Sequence, residues 1–353
     1  MLGRISAVRS LGVRVALGAA FASTILLAAC GTPTTSAGGS PTGTANSTLT
    51  ACTVSTSDLT PSATGTGTAP AVSGASGKLA IDGSTALAPL FQSAAKSFQT
   101  ANPNVQISIT PNGSGTGLKD ADAGAVNIGM SDVFASEKEP SAGAYSALVD
   151  HQIAAVVFTL VTNNDLQGKV DNLTSAQIVS IYTGQYTNWS QVGGPNENIT
   201  IINRPSSSGT RATFKKYVLN GATEAAGDTL TQDTTGAVIQ AVQTTQGAIG
   251  YVSLSFVSQD AGMVSPICID GAKPTATDLD SGKYKFWGIE HAYTKGPASG
   301  LAKTFLQYTL SSPIQQNDLL SLDYLPLSTV SAAAIASHTV SGAPAPEQLS
   351  PLS

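Results

Sequence analysis

Three times in this chain a short apolar segment runs into a cluster of glycine and hydroxyl residues, and apolar residues at helical spacing follow. The clusters are Gly83-Ser84-Thr85, Gly113-Ser114-Gly115-Thr116-Gly117 and Ser208-Gly209-Thr210. Short apolar runs bounded by glycine predict strands, and serine or threonine before an amphipathic run predicts a helix start. Strands and helices that alternate in this way favour an α/β body with a largely parallel sheet.

The same patterns locate the individual elements between residues 78 and 310. The predicted strands are 78–81, 105–109, 126–128, 153–161, 199–202 and 247–252. The predicted helices are 87–98, one from about Leu118, 175–182, one after Ser208, and about 300–310. The segment from Gly342 contains three prolines and is predicted to be loose.

Residues 1–29 have the composition of an export signal. Three arginines, Arg4, Arg9 and Arg14, precede the uncharged run Val15–Ala29. This run is shorter than the ~20 residues that a membrane-spanning helix needs. The run ends Leu27-Ala28-Ala29-Cys30, and small residues before a cysteine resemble the bacterial lipobox. That resemblance implies a lipoprotein signal peptide, with Cys30 lipidated and anchored at the outer face of the cytoplasmic membrane. An ordinary signal peptide followed by a chance cysteine is the alternative.

Residues 30–77 consist mainly of Ser, Thr, Gly, Pro and Ala. Such a segment buries too little apolar surface to offset its ordering entropy, so we expect a flexible tether. Cys52 lies within it, and Cys268 is the remaining cysteine of the chain besides Cys30. Two thiols outside the cytosol suggest a Cys52–Cys268 disulfide, with two free thiols as the alternative.

Charge and motif content argue against several classes of protein. Charged residues are 11% of the chain, against roughly 25% in an average domain. The net charge is -5, and without residues 1–29 the chain holds 14 basic and 22 acidic residues, so no nucleic-acid partner is expected. No Walker A loop or G-x-S-x-G elbow occurs. His151, His291 and His338 lack zinc-ligand spacing, so we expect no metal or cofactor, and each histidine is predicted to lie on the surface or in packing.

The glycine- and hydroxyl-rich junctions are candidate anion-binding elements. A helix N-terminus presents unpaired N–H groups and the positive end of the helix dipole, and glycine allows a close approach of the backbone. In open α/β sheets such junctions meet outside the carboxyl ends of the strands. Each serine or threonine could instead be only a helix cap, but three junctions together with Arg204 favour an anion site.

Five blocks of sequence resemble, in this order, the phosphate-binding proteins that feed bacterial phosphate ABC importers: Gly83–Leu90, Gly113–Gly117, Ile128–Asp132, Arg204–Phe214 and Gly247–Tyr251. The resemblance runs from about Lys78 to Leu310. It implies an α/β fold of the type II periplasmic-binding-protein class, with two lobes that each contain a mixed sheet flanked by helices. Two crossing strands would form the hinge. Lobe one would comprise residues 78–156 and 252–353, and lobe two residues 157–251.

The resemblance also implies a set of residues that close on phosphate between the lobes. Asp132 would accept a hydrogen bond from a proton of the bound phosphate, and Arg204 would supply positive charge. The remaining ligands would be Thr85, Ala86, Ser114, Ser208, Gly209 and Thr210, with Ser84, Ser131, Ser207 and Arg211 as neighbours. Ser206 stands where some members carry an acid that pairs with the binding arginine, so Arg204 is expected to be less neutralised or to be oriented by another acid.

On this basis we expect a monomeric extracytoplasmic receptor that delivers phosphate to the membrane permease of an ABC importer, and not an enzyme. A receptor for sulfate, molybdate or another oxyanion is the main alternative. A secreted serine hydrolase or phosphatase using Ser114 or Ser208 is another, although neither serine has an evident histidine partner. The last alternative is a surface interaction protein whose anion site no longer binds a ligand.

Overall fold

The computed structural model describes residues 52–55, 58, 70, 72, 74–225, 229–260 and 262–352. The predicted signal peptide, Cys30 and most of the predicted tether lie outside the described residues. None of the helices within the described ranges is long and apolar enough to cross a bilayer.

Strands and helices alternate through most of the described chain, as the sequence pattern predicts. The strands are β1 Gly77–Gly83, β2 Val105–Pro111, β3 Ile128–Ser131, β4 Leu148–Thr162, β5 Asn172–Leu173, β6 Thr200–Asn203, β7 Thr229–Thr231, β8 Ala248–Ser253, β9 Ser265–Ile269, β10 Trp287–Lys295 and β11 Tyr324–Leu325. The helices are α1 Ala88–Ala101, α2 Ser114–Ala123, α3 Ser175–Tyr182, α4 Gly209–Tyr217, α5 Thr235–Thr244, α6 Leu254–Gln259, α7 Ala276–Asp280, α8 Gly300–Thr309, α9 Leu319–Ser321 and α10 Ala332–His338. Helix α2 begins at Ser114 and not near Leu118, because Gly113 provides a positive φ of 97° at the cap.

The sheet is mixed, with the strand order β2-β1-β3-β10-β4-β8-β6-β7. The outer strands pair in parallel: β1 with β2 and β3, and β6 with β7 and β8. The central strands pair antiparallel: β10 with β3 and β4, and β4 with β8. The expectation of a largely parallel sheet is therefore wrong at the centre. There the long strands β4 and β10 lie next to each other in opposite directions, without the crossover helix that parallel neighbours require.

Strand β4 joins two parts of this sheet. Its residues up to Val157 pair with β10, and its residues from Phe158 pair with β8. We call β2, β1, β3, β10 and the beginning of β4 the first half-sheet, and the end of β4 with β8, β6 and β7 the second half-sheet. This change of partner lies one residue from the predicted lobe boundary at 156/157. The division into lobes at 156/157 and 251/252 stays a prediction.

Aromatic packing supports the helices that begin at the candidate site. Phe91 and Phe98 of α1 pack edge-on against Phe305 of α8, with ring centroids 5.5 and 5.8 Å apart. Phe214 of α4 stacks on Tyr251 of β8 at 4.4 Å. All of these rings are fully buried. The first turns of α1 and α4 are therefore anchored on opposite half-sheets by well-packed cores.

Cys52 and Cys268 form a disulfide in the structure. Cys268 lies on β9 and is fully buried, so the bond ties the segment preceding the body to the second half-sheet side of β4. The ion pair of Asp58 with Lys273, at 2.9 Å, lies in the same region.

The chain after Gly342 is also held by the body. The N–H of Glu347 donates to the carbonyl of Asp150 at 2.8 Å, and Glu347 Oε2 accepts from the N–H of Ala298 at 3.0 Å. Further on, Gln307 donates to the carbonyl of Ser350 at 2.8 Å. The expectation of a loose tail is wrong, because prolines limit regular structure without preventing backbone groups from finding partners.

Candidate anion-binding site

The structure brings the three predicted junctions together around Asp132, the residue after β3. Asp132 N–H donates to Ser114 Oγ at 3.0 Å, which links the end of β3 to the first residue of α2. Ser84 Oγ donates to Asp132 Oδ1. Thr210 Oγ1, from the other half-sheet, donates to Asp132 Oδ2 at 2.9 Å. Both carboxylate oxygens therefore accept hydroxyl hydrogen bonds, and each retains capacity for one more.

Gly209 allows the two half-sheets to approach each other at this point. A Cβ atom on Gly209 would overlap Ser114 Oγ and would lie 2.8 Å from Asp132 Cβ. A larger residue here would force α4 away from Asp132. The first N–H groups of α4 thus lie against Ser114 and Asp132, with the positive end of the helix dipole directed at them.

Arg204, directly after β6, is a buried cation without an ion-pair partner among the described residues. Its side chain is 1% exposed. Nη2 donates to Thr85 Oγ1 at 3.0 Å and to the carbonyl of Asp233 at 2.9 Å, while Nε is buried and has no hydrogen-bond acceptor in the described part of the chain. Burial lowers the pKa of Arg204, and the nearby Asp132 charge opposes that shift. A guanidinium always carries its charge in proteins, so this positive charge is only partly compensated.

The neighbouring Arg211 has a different role. Arg211 forms an ion pair with Glu224 at 3.0 Å, and its Nη1 donates to the carbonyl of Arg204. The Glu224 carboxylate also accepts from the hydroxyl of Tyr251 at 3.0 Å, and that hydroxyl accepts from the N–H of Arg204 at 3.2 Å. Glu224 is therefore the acid that orients this region in the absence of an acid at Ser206, and it acts on the Arg204 backbone. The guanidinium of Arg211 is engaged by Glu224 and is not directed at Asp132.

Among the remaining predicted residues, several hydroxyls hold the loops in place. Ser84 Oγ accepts from the N–H groups of Ala86 and Leu87, at 3.0 and 2.9 Å, and so caps the turn before α1. Ser208 Oγ accepts from Arg211 N–H at 3.2 Å and caps α4. Ser131 Oγ donates to the carbonyl of Val133, and the carbonyl of Ser207 accepts from the N–H of Gly115. These bonds fix the backbone that surrounds Asp132 and Arg204.

Thr235 belongs to the same cluster, and the sequence analysis missed it. Thr235 is the first residue of α5 and is fully buried. Its Oγ1 lies 2.9 Å from Thr85 Oγ1 and 3.4 Å from Arg204 Nη1. The sequence signal was present, since Thr234-Thr235-Gly236 is a fourth hydroxyl and glycine cluster that opens a helix after a strand.

Lys138 and Glu290 are two further charged residues that sequence reasoning missed. Lys138 follows β3 and reaches across to the other half-sheet, where Nζ donates to the carbonyls of Ser206 at 2.7 Å and Ser208 at 2.9 Å. Burial lowers the pKa of Lys138 to about 8. Glu290 lies in the middle of β10 and is fully buried. Neither residue has a sequence motif around it that marks a site.

The described residues contain no group of three or more His, Cys, Asp and Glu side chains able to hold a metal ion. All three histidines are buried. His291 Nδ1 contacts Asp150 at 2.8 Å, His151 Nε2 contacts Thr294 at 2.8 Å, and His338 Nε2 contacts the carbonyl of Lys285 at 3.2 Å. They are packing residues, one of the two positions that the sequence predicted for them.

The chain is similar in sequence to known proteins. A family model described as the PBP superfamily domain matches residues 63–313. The phosphate-binding protein PstS of Bacillus subtilis is 44% identical over 253 residues, which are 72% of this chain and 82% of that protein. The PstS of Borreliella burgdorferi is 27% identical over 214 residues, 58% of this chain and 74% of that protein.

Solved structures agree with this assignment. A putative phosphate ABC transporter substrate-binding protein from Clostridium perfringens, solved with bound phosphate, superposes with a TM-score of 0.63 and 28% identity, over 71% of this chain and 99% of that one. An ABC-type phosphate transport receptor from Vibrio cholerae has the same fold, with a TM-score of 0.56 and 24% identity over 70% of this chain and 99% of that one. The chain therefore has the type II periplasmic-binding-protein fold, and it belongs to the PBP superfamily, within the family of the bacterial PstS phosphate-binding proteins.

Proposed function

We propose that this chain is an extracytoplasmic receptor that binds inorganic phosphate between its two half-sheets and delivers it to an ABC importer. The names of its relatives support this proposal, as does the phosphate bound to the Clostridium perfringens protein. The observation that carries it is the buried guanidinium of Arg204, which has no ion-pair partner among the described residues and lies at the convergence of several helix N-termini. Such a charge is costly to bury unless an anion compensates it.

The proposed ligand set is the one that the sequence predicts, with one addition. Arg204 would supply the charge-assisted hydrogen bonds. The neutral donors would be Thr85, Ala86, Ser114, Ser208, Gly209 and Thr210. We add Thr235, because its hydroxyl contacts both Thr85 and Arg204. Binding would exchange the contacts among these groups for contacts with the oxygens of the anion.

Asp132 would select phosphate over fully deprotonated oxyanions. A carboxylate repels an anion unless the anion donates a hydrogen bond to it. Phosphate near neutral pH carries at least one proton and sulfate carries none. Asp132 Oδ2 accepts a hydrogen bond from Thr210 Oγ1 at 2.9 Å, and the N–H of Asp132 donates to Ser114 Oγ. The position of the carboxylate is therefore set before the ligand arrives.

The cellular setting of the receptor is part of the proposal. Export and anchoring through Cys30 would place the protein at the outer face of the membrane, next to the permease. The Cys52–Cys268 disulfide supports an extracytoplasmic location, because disulfides persist in oxidising compartments. Replacing Cys30 by Ser should release the protein from membranes or leave it unprocessed; normal retention would contradict the anchor. We also propose that the receptor is a monomer.

A hydrolytic function lacks support at the candidate nucleophiles. Ser114 Oγ accepts from Asp132 N–H, and Ser208 Oγ caps α4. Within the described residues, each histidine forms its contacts elsewhere. A serine nucleophile needs an adjacent base, so a binding function without catalysis is the better proposal.

A thermal-shift titration of the mature body, first stripped of bound ligand, tests the proposal. Phosphate should raise the melting temperature, since a ligand present at a thousandfold excess over Kd adds ~4 kcal/mol to stability. Sulfate, molybdate and arsenate are the comparison anions. The absence of a shift at millimolar phosphate would contradict the proposal, and a larger shift with sulfate or molybdate would point to another oxyanion.

The variant Arg204→Gln should abolish the phosphate-dependent shift without lowering the stability of the ligand-free protein. The loss of two charge-assisted hydrogen bonds, at ~1.5–3 kcal/mol each, predicts binding weaker by a factor of ~100 or more. The exposed Lys303, replaced by Gln, removes one surface charge and serves as the matched control. An equal loss in both variants would show that net charge, and not Arg204, governs binding.

A further inference from the structure

Glu290 is a buried carboxyl group for which the proposed function has no role. Its side chain is fully buried on β10, and both carboxyl oxygens lack a hydrogen-bond donor among the described residues. It forms no ion pair within those residues either. A buried carboxylate with neither a donor nor a cation is among the most costly groups in a protein interior.

The sheet register places Glu290 next to Asp132. Strands β3 and β10 are antiparallel, with His291 opposite Ser131, and the next pair in that register would be Glu290 opposite Asp132. Opposite residues of an antiparallel pair point to the same face of the sheet. A register shift in the β10–β4 pairing lies directly at Glu290 and His291. Such irregularities re-aim side chains near functional sites.

The hydrogen-bond partners of Asp132 and Glu290 indicate that Glu290 is the carboxyl group that holds a proton. Asp132 accepts hydrogen bonds from Ser84 and Thr210 and lies near Arg204, an environment that suits a carboxylate. The hydroxyl of Tyr324, on β11, donates its own proton to the carbonyl of Ala86. The contact between the two carboxyls is therefore favourable only when one of them carries a proton.

Electrostatics agree with this assignment. Burial, together with the charge of Asp132 and its hydrogen-bond contact, raises the pKa of Glu290 well above its ordinary value. The other charged and titratable groups that face the pair are Arg204, directly after β6, Lys138, in the loop after β3, and Tyr324, on β11. Strand β4 contributes only Ala154 and Ala155 on its side of the pairing. Two adjacent carboxyl groups in such a place share one proton.

We propose that Glu290 is a positioning residue of the anion site: it remains a neutral carboxylic acid and donates a hydrogen bond to Asp132. The pair then carries a single negative charge, and the site presents one oriented carboxylate to the ligand. An ionised Glu290 would add a second negative charge and repel the anion. The proposal rests on the proposed function for its ligand, but the protonation of Glu290 is measurable without any ligand.

Infrared difference spectroscopy of the ligand-free protein near pH 8 tests the protonation directly. The spectrum of the wild type minus that of Glu290→Gln should contain the C=O stretch of a protonated carboxyl, shifted by deuterium exchange. Asp132→Asn is the matched control and should keep this band. If Glu290→Gln retains the band, or the wild type lacks it, Glu290 is not the proton carrier and the proposal is overturned. This result stands whether or not the protein binds phosphate.

Calorimetric titration with phosphate tests the positioning role. Glu290→Gln keeps an N–H donor to Asp132, so phosphate affinity should stay within about threefold of the wild type. Glu290→Leu removes the donor, and phosphate should bind at least ~10-fold more weakly. Equal losses in both variants, or none in Glu290→Leu, would contradict the role of the hydrogen bond. If the wild type fails to bind phosphate, the proposed function fails, while the infrared result still decides the state of Glu290.

Discussion

Thr85 Oγ1 accepts a hydrogen bond from Arg204 Nη2 at 3.0 Å, although the two residues lie 119 positions apart in the chain. Thr85 follows β1 in the first half-sheet, and Arg204 follows β6 in the second. The guanidinium of one half-sheet is thus bound to the loop of the other. Any anion that enters between them must separate or share this contact, so binding is coupled to the spacing of the half-sheets.

Asp132→Asn should narrow the preference for phosphate over sulfate by at least about tenfold, or ~1.4 kcal/mol. Asparagine keeps the shape of the side chain, removes the charge and offers an N–H donor to sulfate. Most of the change should come from tighter sulfate binding. Titration calorimetry with both anions measures the ratio of affinities in wild type and variant, and an unchanged ratio would mean that Asp132 does not accept the phosphate proton.

Gly209→Ala should weaken phosphate binding by about tenfold or more and lower the free energy of unfolding by ~1–3 kcal/mol, the usual cost of overpacking. The added Cβ would overlap Ser114 Oγ and press on Asp132, so α4 must move away. Chemical denaturation and calorimetry measure the two effects. Gly236→Ala is the stability control, because its Cβ meets Phe256 at 3.6 Å, an ordinary contact. Unimpaired binding by Gly209→Ala would show that α4 needs no close approach.

Lys138→Met should accelerate phosphate release by roughly tenfold, because two hydrogen bonds between the half-sheets are lost. The lowered pKa of Lys138, about 8, adds a pH dependence. Above that pH the ammonium loses its proton and its charge-assisted bonds weaken, so release from the wild type should speed up while release from the variant stays flat. Stopped-flow displacement measures both rates. Unchanged release with slower association would instead assign Lys138 to electrostatic attraction of the ligand.

His338→Phe should remove part of the acid sensitivity of folding. His338 stacks on Tyr217 at 4.0 Å and Trp287 at 3.8 Å, and burial lowers its pKa to about 4 from 6.5. Between these two values the unfolded chain binds the proton and the folded one does not, so stability falls as the pH decreases from 6.5 to 4. Over this pH range the wild type should lose roughly 3 kcal/mol more of its free energy of unfolding than the phenylalanine variant loses. Parallel stability curves for the two proteins over this range would refute the assignment.

The sequence alone was sufficient for the fold class and for most of the candidate site. Each strand, its glycine and hydroxyl cluster and the helix that follows form a local unit, so the chain reveals it at short range. This is why the local pattern indicates Ser84, Ser114, Arg204 and Thr210, whereas Asp132 is implied only by the resemblance to the phosphate-binding family. Their role as phosphate ligands remains a prediction.

Tertiary structure alone decided which distant side chains complete the cluster. Lys138, Glu290 and the pairing of Glu224 with Arg211 depend on strand order and register, which join residues far apart in the chain. In β10 almost every residue is buried on both faces, so the alternation of polar and apolar residues that would reveal an inward carboxyl is absent. The antiparallel centre of the sheet was not predicted for the same reason. The pairing between β4 and β10 is set by long-range packing, which short-range patterns do not encode.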